Sequence, residues 1–159
     1  MAASGRLYSV GFSGVSISAV QDLIAIYAGA SKIVAIQSIE FSQVTQTTIG
    51  SLRWRLRYLP ATVTAGSGGS VGVISPLNPG DAAATCTART NDTTQASTSG
   101  TAINLWSDQW NLINGALWVP PNVNRPPVSA LSGALVVSLD LAPGTVITAS
   151  GTVTLEELP

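Results

Sequence analysis

Residues 52–58 read Leu-Arg-Trp-Arg-Leu-Arg-Tyr, a strict alternation of large apolar or aromatic side chains with arginines, and Leu59 follows. Side chains that repeat every second residue lie on one face of a β-strand, whereas a helix would distribute them around its surface. The segment therefore predicts a half-buried strand whose apolar face comprises Leu52, Trp54, Leu56 and Tyr58.

The same two-residue period recurs near the C-terminus. Leu135, Val137, Leu139 and Leu141 alternate with Val136, Ser138 and Asp140, and Val153 and Leu155 alternate with Thr152, Thr154 and Glu156. The segment 20–27 fits a strand or a short helix, and its β-branched residues favour a strand. Further strands are predicted over residues 7–12, 15–18, 32–44, 85–90, 102–113 and 116–119.

Two glycines indicate how strands bend or connect. Ser13-Gly14 lies inside the first predicted strand, where a kink or bulge would fit. Asn114-Gly115 separates two apolar runs and predicts a tight β-hairpin, because a type I′ turn needs positive φ at both central residues.

Other details of the strands follow from the same pattern. In the segment 32–44, Ile33, Ile39 and Phe41 are expected on one face. The segment 85–90 is short and polar, which is typical of an edge strand. Asp81 could cap a single helical turn over residues 81–84. We expect one all-β domain over residues 1–159, an antiparallel β-sandwich or jelly roll of eight or nine strands with little helix.

Composition excludes several classes of function. The chain has one cysteine and no histidine, so we expect no zinc site of the Cys/His kind, no catalytic triad that uses imidazole and no cofactor. Paired carboxylates and a Ser-Lys pair give no catalytic pattern either, so we expect a protein that is not an enzyme. Seven cations and a net charge of −1 argue against nucleic-acid binding. No apolar stretch predicts a membrane span, and we expect synthesis in a cytoplasm.

The low charge points to a surface partly covered by neighbours, although a secreted β-protein rich in serine and threonine would have a similar composition. Charged residues are 9% of the chain, against about 25% in an average domain. The arginine row of Arg53, Arg55 and Arg57 is the most specific polar feature. The row is interpreted as paired with acids across neighbouring strands or as a cationic stripe that docks an acidic or carbonyl-rich partner, and both can hold together. The acids considered for pairing are Glu40, Asp140 and Glu156.

Tryptophans and prolines supply the other interface candidates. Trp54 is expected in the core. Trp106, Trp110 and Trp118 surround the predicted hairpin and either pack in the core or form an exposed aromatic platform. The loop at 120–128 and the glycine-rich loop at 66–81 are further contact candidates. Within the first of these loops the candidates are Pro120, Pro121 and Arg125.

The segments that carry a resemblance to a known family are residues 8–23, 52–55, 68–70, 76–84, 108–111 and 150–157. With these segments, nearly the whole chain resembles small virion-associated proteins of tailed bacteriophages. Within that group a small β-sandwich is similar to capsid decoration (cement) proteins. The resemblance implies no catalytic residues. It implies a homotrimer that binds the phage major capsid protein on the outer surface of the virion head. The alternative is a tail or fibre module that binds host-surface glycans through Trp106, Trp110 or Trp118.

Overall fold

A computed structural model describes residues 5–44, 49–122 and 126–159. These residues form an all-β fold of thirteen strands without a helix, and eight of the strands have six residues or more. The strands are β1 (Arg6–Ile17), β2 (Asp22–Tyr27), β3 (Ile33–Gln43), β4 (Ser51–Leu59), β5 (Val63–Thr64), β6 (Ser70–Gly72), β7 (Ile74–Pro76), β8 (Thr87–Asp92), β9 (Ser97–Thr98), β10 (Ile103–Asn111), β11 (Ala116–Trp118), β12 (Ala134–Leu139) and β13 (Ile147–Leu158).

The strands form two large antiparallel sheets and one small one. The first sheet has five strands in the order β11-β3-β13-β1-β7, and the second has six in the order β10-β4-β12-β2-β8-β6. The third sheet contains only β5 and β9. The predicted all-β, antiparallel sandwich-like class is confirmed. The additional strands have two or three residues each, and two of them, β6 and β7, lie inside the glycine-rich segment 66–81 that the sequence predicts as a loop.

The two large sheets pack face to face over an aromatic core. Phe41 of the first sheet contacts Trp54 and Trp110 of the second, each at a ring-centroid distance of 5.6 Å. Trp54 and Trp118 meet edge to face at 6.3 Å, a geometry that aromatic rings prefer. The core of the sandwich is therefore filled by large rings at the side where β10 and β11 lie.

A bulge interrupts the first strand where the sequence predicts it. The pairing of β1 with β13 shifts register between Phe12 and Val15. Gly14 lies within this shift with a φ of +64°, a left-handed conformation that glycine adopts without strain. Segments 7–12 and 15–18 are thus one bulged strand.

The prediction of which side chains of β3 face the core is wrong for the first residues of the strand. Ile39 and Phe41 are in the core, as expected, but so are Val34 and Ile36, whereas Ile33 is not. The register of β3 against β13 shifts after Ile36. Because one extra residue in a strand reverses the side on which later side chains lie, the two-residue period does not continue across it.

The predicted Asn114-Gly115 hairpin is also wrong. β10 pairs with β4 in one sheet and β11 pairs with β3 in the other, so the turn carries the chain between sheets. Gly115 has a φ of +71° but Asn114 does not share a positive φ, which a type I′ turn requires. A Cβ at Gly115 would lie 2.8 Å from the Phe41 carbonyl oxygen, so close approach to β3 also requires glycine here.

Two smaller expectations need correction. The polar strand expected at 85–90 forms as β8, but it lies between β2 and β6 rather than at an edge. The helical turn predicted at residues 81–84 is not present, and the described residues contain no helix. Asp81 instead donates its backbone N–H to the Asn78 carbonyl oxygen at 2.9 Å, which closes a turn before it.

A partial third layer covers the outer face of the six-stranded sheet. Ala25, Leu59, Ala134 and Val136 project from that face and pack with Ala96 and, at the periphery, Val63. Ala96 precedes β9, and Val63 begins β5, so the small sheet and its flanks act as a cover. Side chains on the outward face of β4 and β12 are consequently buried where this cover lies.

Candidate functional site

The arginine row divides into an exposed part and a buried part. Arg53 and Arg55 share one acid: their Nε atoms lie 3.1 and 2.7 Å from the two carboxylate oxygens of Asp140. Pairing with Asp140 is thus confirmed. Arg53 keeps about half of its side chain exposed (52%), so of these two arginines it is the more available to a partner.

Arg57 does not belong to an exposed stripe. Its Nη2 lies 2.7 Å from Asp22 Oδ1, and its Nε donates to Ser138 Oγ at 2.8 Å. Asp22 Oδ2 also accepts the backbone N–H of Ala96, from the covering layer, at 2.6 Å. Arg57 is therefore buried because the cover lies over it. Burial raises the pKa of Asp22, against the opposing effects of the Ala96 N–H and the Arg57 charge.

Trp110 and Trp118 are core residues and do not form an exposed platform. Both are buried, together with Trp54. Trp106 is partly buried and its ring lies 5.7 Å from that of Trp118, which joins β10 to β11. The expectation that Trp110 and Trp118 contact a partner directly is corrected, since the rings fill the space between the sheets.

Residues 126–129, which follow the undescribed part of the proline-rich segment, lie along the edge of β3. Pro120 is buried and Pro121 is exposed, so only Pro121 of these two candidates is available to a partner; Arg125 lies outside the described residues. The N–H of Ile36 donates to the Pro127 carbonyl at 3.0 Å, and Ser129 forms two hydrogen bonds with Val34. The segment thus extends the first sheet beside β11.

The lateral edge formed by β10 and β11, which we call the β10–β11 edge, carries a group of exposed apolar side chains. β10 is the terminal strand of one sheet and β11 of the other. An edge strand presents backbone N–H and C=O groups that no neighbour pairs. The edge also carries exposed apolar side chains. The side chain of Leu117 is 70% exposed, and the other members of the group are Ile103, Leu105, Ile113 and Val119.

The β10–β11 edge brings several sequence candidates together. β10 pairs with β4, so Gln109 is opposite Arg53 and Ser107 is opposite Arg55. Trp106, Trp110 and Trp118 support the edge from inside. The exposed apolar residues of this edge are not predicted from the sequence. Leu117 and Trp118 are neighbours in one apolar run, and the sequence does not show which of the two is exposed.

The opposite margin of the sandwich has a different character. It consists of β6 and β7, which have three residues each and include Pro76. Val71 and Val73 are largely exposed there. Short strands and proline limit pairing with another strand, so this margin is a poorer template for strand addition than the nine-residue β10.

A buried carboxylate anchors the end of β13. Glu157 Oε1 accepts the N–H groups of Thr85 and Cys86 at 2.7 and 2.6 Å, and Lys32 Nζ lies 3.8 Å from Oε2. Burial alone would raise the pKa of Glu157, but these hydrogen bonds together lower it. Burial and the neighbouring Glu157 carboxylate raise the pKa of the Cys86 thiol to about 12.

Residues 5–44, 49–122 and 126–159 contain no close group of three or more His, Cys, Asp and Glu side chains suited to a metal ion. The same ranges include no helix long and apolar enough to cross a bilayer.

No protein-family model and no curated protein matches this chain. Solved structures with a likeness include a mutant VP2 protein of infectious bursal disease virus in derived T=1 particles. It has 16% identity and a TM-score of 0.22, with 97% of this chain and 40% of that chain covered. The infectious bursal disease virus Gx strain structure has 18% identity and a TM-score of 0.20, with 98% and 43% covered. This chain thus spans less than half the length of either protein, and the TM-scores are too low to relate their folds to this one.

Proposed function

We propose that the protein is a non-enzymatic structural component of a phage virion. It binds the major capsid protein on the outer surface of the head and stabilises the shell, acting as a homotrimer. The observation that carries this proposal is the β10–β11 edge, where unpaired strand margins of both sheets and exposed apolar side chains lie together. The resemblance of the sequence to virion-associated proteins supplies the class of partner.

Binding at such an edge is favourable for two physical reasons. Removing apolar side chains such as Leu117 from water stabilises a complex by about 25 cal/mol per Å² buried. A partner strand alongside β10 also satisfies its free backbone groups. A protein that binds only the assembled shell then stabilises that shell by mass action. The exposed Arg53 beside β10 is already paired with Asp140, and the exposed charges next to the contact are Asp108 and Glu40.

The glycan-binding alternative loses the platform on which it depends. Stacking of a sugar requires an exposed aromatic face, and Trp110 and Trp118 are buried. Trp106 is partly buried against Trp118. A tail or fibre role through these rings is therefore not proposed.

The test is binding of the purified protein to undecorated expanded heads, measured by sedimentation and by the temperature at which the heads release DNA. We expect saturable binding and a higher release temperature. Leu117→Asp should weaken binding at least about tenfold, a loss of about 1.4 kcal/mol. Val73→Asp, at the opposite margin, is the matched control and should bind like the wild type.

Two outcomes would contradict the proposal. Heads that remain undecorated and equally heat-sensitive would exclude the cement role. Equal binding by the Leu117 and Val73 variants would exclude the β10–β11 edge as the contact surface. Light scattering coupled to size-exclusion chromatography tests the homotrimer separately, and a monomeric mass at the working concentration would exclude it.

A further inference from the structure

A polar cavity lies at one end of the sandwich, away from the β10–β11 edge. It has a volume of about 260 Å³ and lies where β1, β8 and the glycine-rich loop before β6 meet. The polar side chains that line it include Ser16, Gln21, Thr90, Asn91 and Thr93. Among its lining residues in the described chain, none carries a charge, so the cavity offers neutral donors and acceptors.

Two buried amides lie in the wall of this cavity. Gln21 and Asn91 are 2% and 8% exposed, and Gln21 Nε2 donates to Asn91 Oδ1 at 3.3 Å. In the described part of the chain their side chains are bonded only to each other. One amide oxygen and one amide NH₂ group therefore remain to bind a ligand, and an amide pair retains one of each however it is oriented.

The backbone around the amides is held in place before any ligand arrives. Asp92 Oδ1 accepts the Gly69 N–H at 3.0 Å, and Arg89 forms a two-pronged ion pair with Asp92 at 2.7 and 2.8 Å. A Cβ at Gly69 would collide with the Thr90 carbonyl oxygen, so glycine allows the loop to lie directly against β8. The charges of Arg89 and Asp92 are thus paired with each other.

Asn91 adds a second sign of a constrained site. It has a φ of +58°, in the left-handed region that asparagine tolerates better than most residues. This conformation occurs at the end of β8, one residue after Thr90. It follows that the Asn91 side chain is placed in the cavity wall by a backbone conformation that the surrounding structure maintains.

The size and chemistry of the cavity limit what can occupy it. A cavity of about 150 Å³ holds a benzene ring, so this one holds a six-membered ring with substituents. A phosphate or carboxylate would enter without a cation to pair with, and burying an unpaired charge is costly. Hydroxyl groups suit the site, because each both donates and accepts a hydrogen bond, as the amide pair and the threonine hydroxyls require.

We propose that this cavity binds a neutral, hydroxyl-rich ligand the size of one hexose ring, such as a single sugar residue. The binding is a function separate from attachment to a head, since the cavity lies outside the β10–β11 edge. Gln21 and Asn91 supply the buried hydrogen-bonding groups, and Ser16 and Thr93 lie at the exposed mouth.

The proposal is tested by titrating the isotope-labelled protein with glucose, galactose, mannose and N-acetylglucosamine in two-dimensional NMR. At least one of these neutral sugars should give saturable shifts at the Gly69 N–H and the Gln21 and Asn91 side-chain amides. We expect a dissociation constant on the order of 1 mM, as no ion pair or stacked ring contributes. Glucose 6-phosphate and N-acetylneuraminic acid, which are charged, should bind at least about tenfold more weakly.

Variants at the mouth give the matched comparison. Ser16→Phe places a ring over the cavity from an exposed position and should abolish the shifts, with the rest of the spectrum showing the native fold. Ser99→Phe adds the same ring at an exposed position elsewhere and should leave binding unchanged. Absence of saturable shifts with every neutral sugar, undiminished binding by Ser16→Phe, or tighter binding of the charged probes would each overturn the proposal.

Discussion

Arg57 and Asp22 form a buried ion pair that spans three strands of the six-stranded sheet. Arg57 Nη2 on β4 lies 2.7 Å from Asp22 Oδ1 on β2, and Ser138 Oγ on β12 hydrogen-bonds to both partners at 2.8 Å. Asp22 also accepts the Ala96 N–H from the covering layer. The pair therefore connects the sheet to its cover.

Breaking this pair should be strongly destabilising. Arg57→Met leaves the Asp22 carboxylate buried without its cation, so the free energy of unfolding should fall by about 3–5 kcal/mol. Arg53→Met is the control, because an exposed pair contributes about 0–1 kcal/mol. Urea unfolding monitored by circular dichroism measures both, and equal midpoints for the two variants would contradict the buried role of Arg57.

Glu157 makes the stability of the fold depend on pH in a defined direction. Its pKa is lowered in the folded protein from an ordinary value of 4.5, so its stabilising effect is complete above that pH. The effect disappears as the pH falls through the lower, folded-state pKa. Glu157→Gln should therefore lower the free energy of unfolding by about 1 kcal/mol at neutral pH, since a hydrogen bond to a charged group is stronger.

The difference in the free energy of unfolding between the wild type and Glu157→Gln should disappear at acid pH. The wild type and the variant should converge only once the pH has fallen through the lowered, folded-state pKa of Glu157, because the wild-type carboxyl is then protonated too. The raised pKa of Asp22 affects both proteins equally and cancels in the difference. Glu40→Gln, at an exposed position, serves as the control. A difference that is independent of pH would contradict the role of the Glu157 charge.

A Cβ at Gly14, in the bulge of β1, should destabilise the fold. Gly14→Ala should lower the free energy of unfolding by about 1 kcal/mol, since the left-handed φ of +64° is unfavourable for alanine. Gly144 is a matched control, because a Cβ added at either glycine would meet open space and only Gly14 has a positive φ. Gly144→Ala should be neutral or slightly stabilising. Thermal unfolding that ranks the two variants the other way would exclude this account.

The aromatic core and the exposed edge should respond differently to truncation. Trp110→Ala removes a fully buried ring and should cost about 3–5 kcal/mol of stability. Leu117→Ala, at the β10–β11 edge, should change stability by no more than about 0.5 kcal/mol. Guanidinium unfolding of the two variants checks this, and a large loss with Leu117→Ala would mean that the residue packs internally.

The Cys86 thiol should be unreactive in the native state. Its pKa is raised to about 12, so little thiolate forms near neutral pH, and the residue is buried. A chromogenic disulfide reagent at pH 8 should react only as fast as the protein unfolds, and fully in denaturant. Rapid stoichiometric reaction with the native protein would contradict the described environment of Cys86.

Local periodicity predicts the strands well and their partners poorly. The alternation along β4 correctly places Trp54 and Leu56 in the core, because a half-buried strand imposes a period of two. The same alternation cannot distinguish Arg53 from Arg57, which share a face. Whether that face is exposed to solvent or covered depends on residues 93–98, which lie far from β4 in the sequence. These residues are mostly polar and show no apolar pattern that would predict a covering segment.

Turn and bulge positions show the same limit. Gly14 marks a bulge because the requirement is local, in its own φ. Gly115 satisfies a different requirement, approach to the Phe41 carbonyl, which the sequence alone does not distinguish from a hairpin turn. The β10–β11 edge arises only once two strands from different sheets are brought side by side. No property of either strand alone predicts that arrangement.

The first and last long strands, β1 and β13, are adjacent in the middle of the five-stranded sheet, with Arg6 opposite Glu157. During translation this sheet has no centre until residues 147–158 have left the ribosome, so folding of the sandwich is completed only after their synthesis. The start of β1 lies beside the end of β13, so the two long strands that are farthest apart along this sequence hold each other in the middle of one sheet.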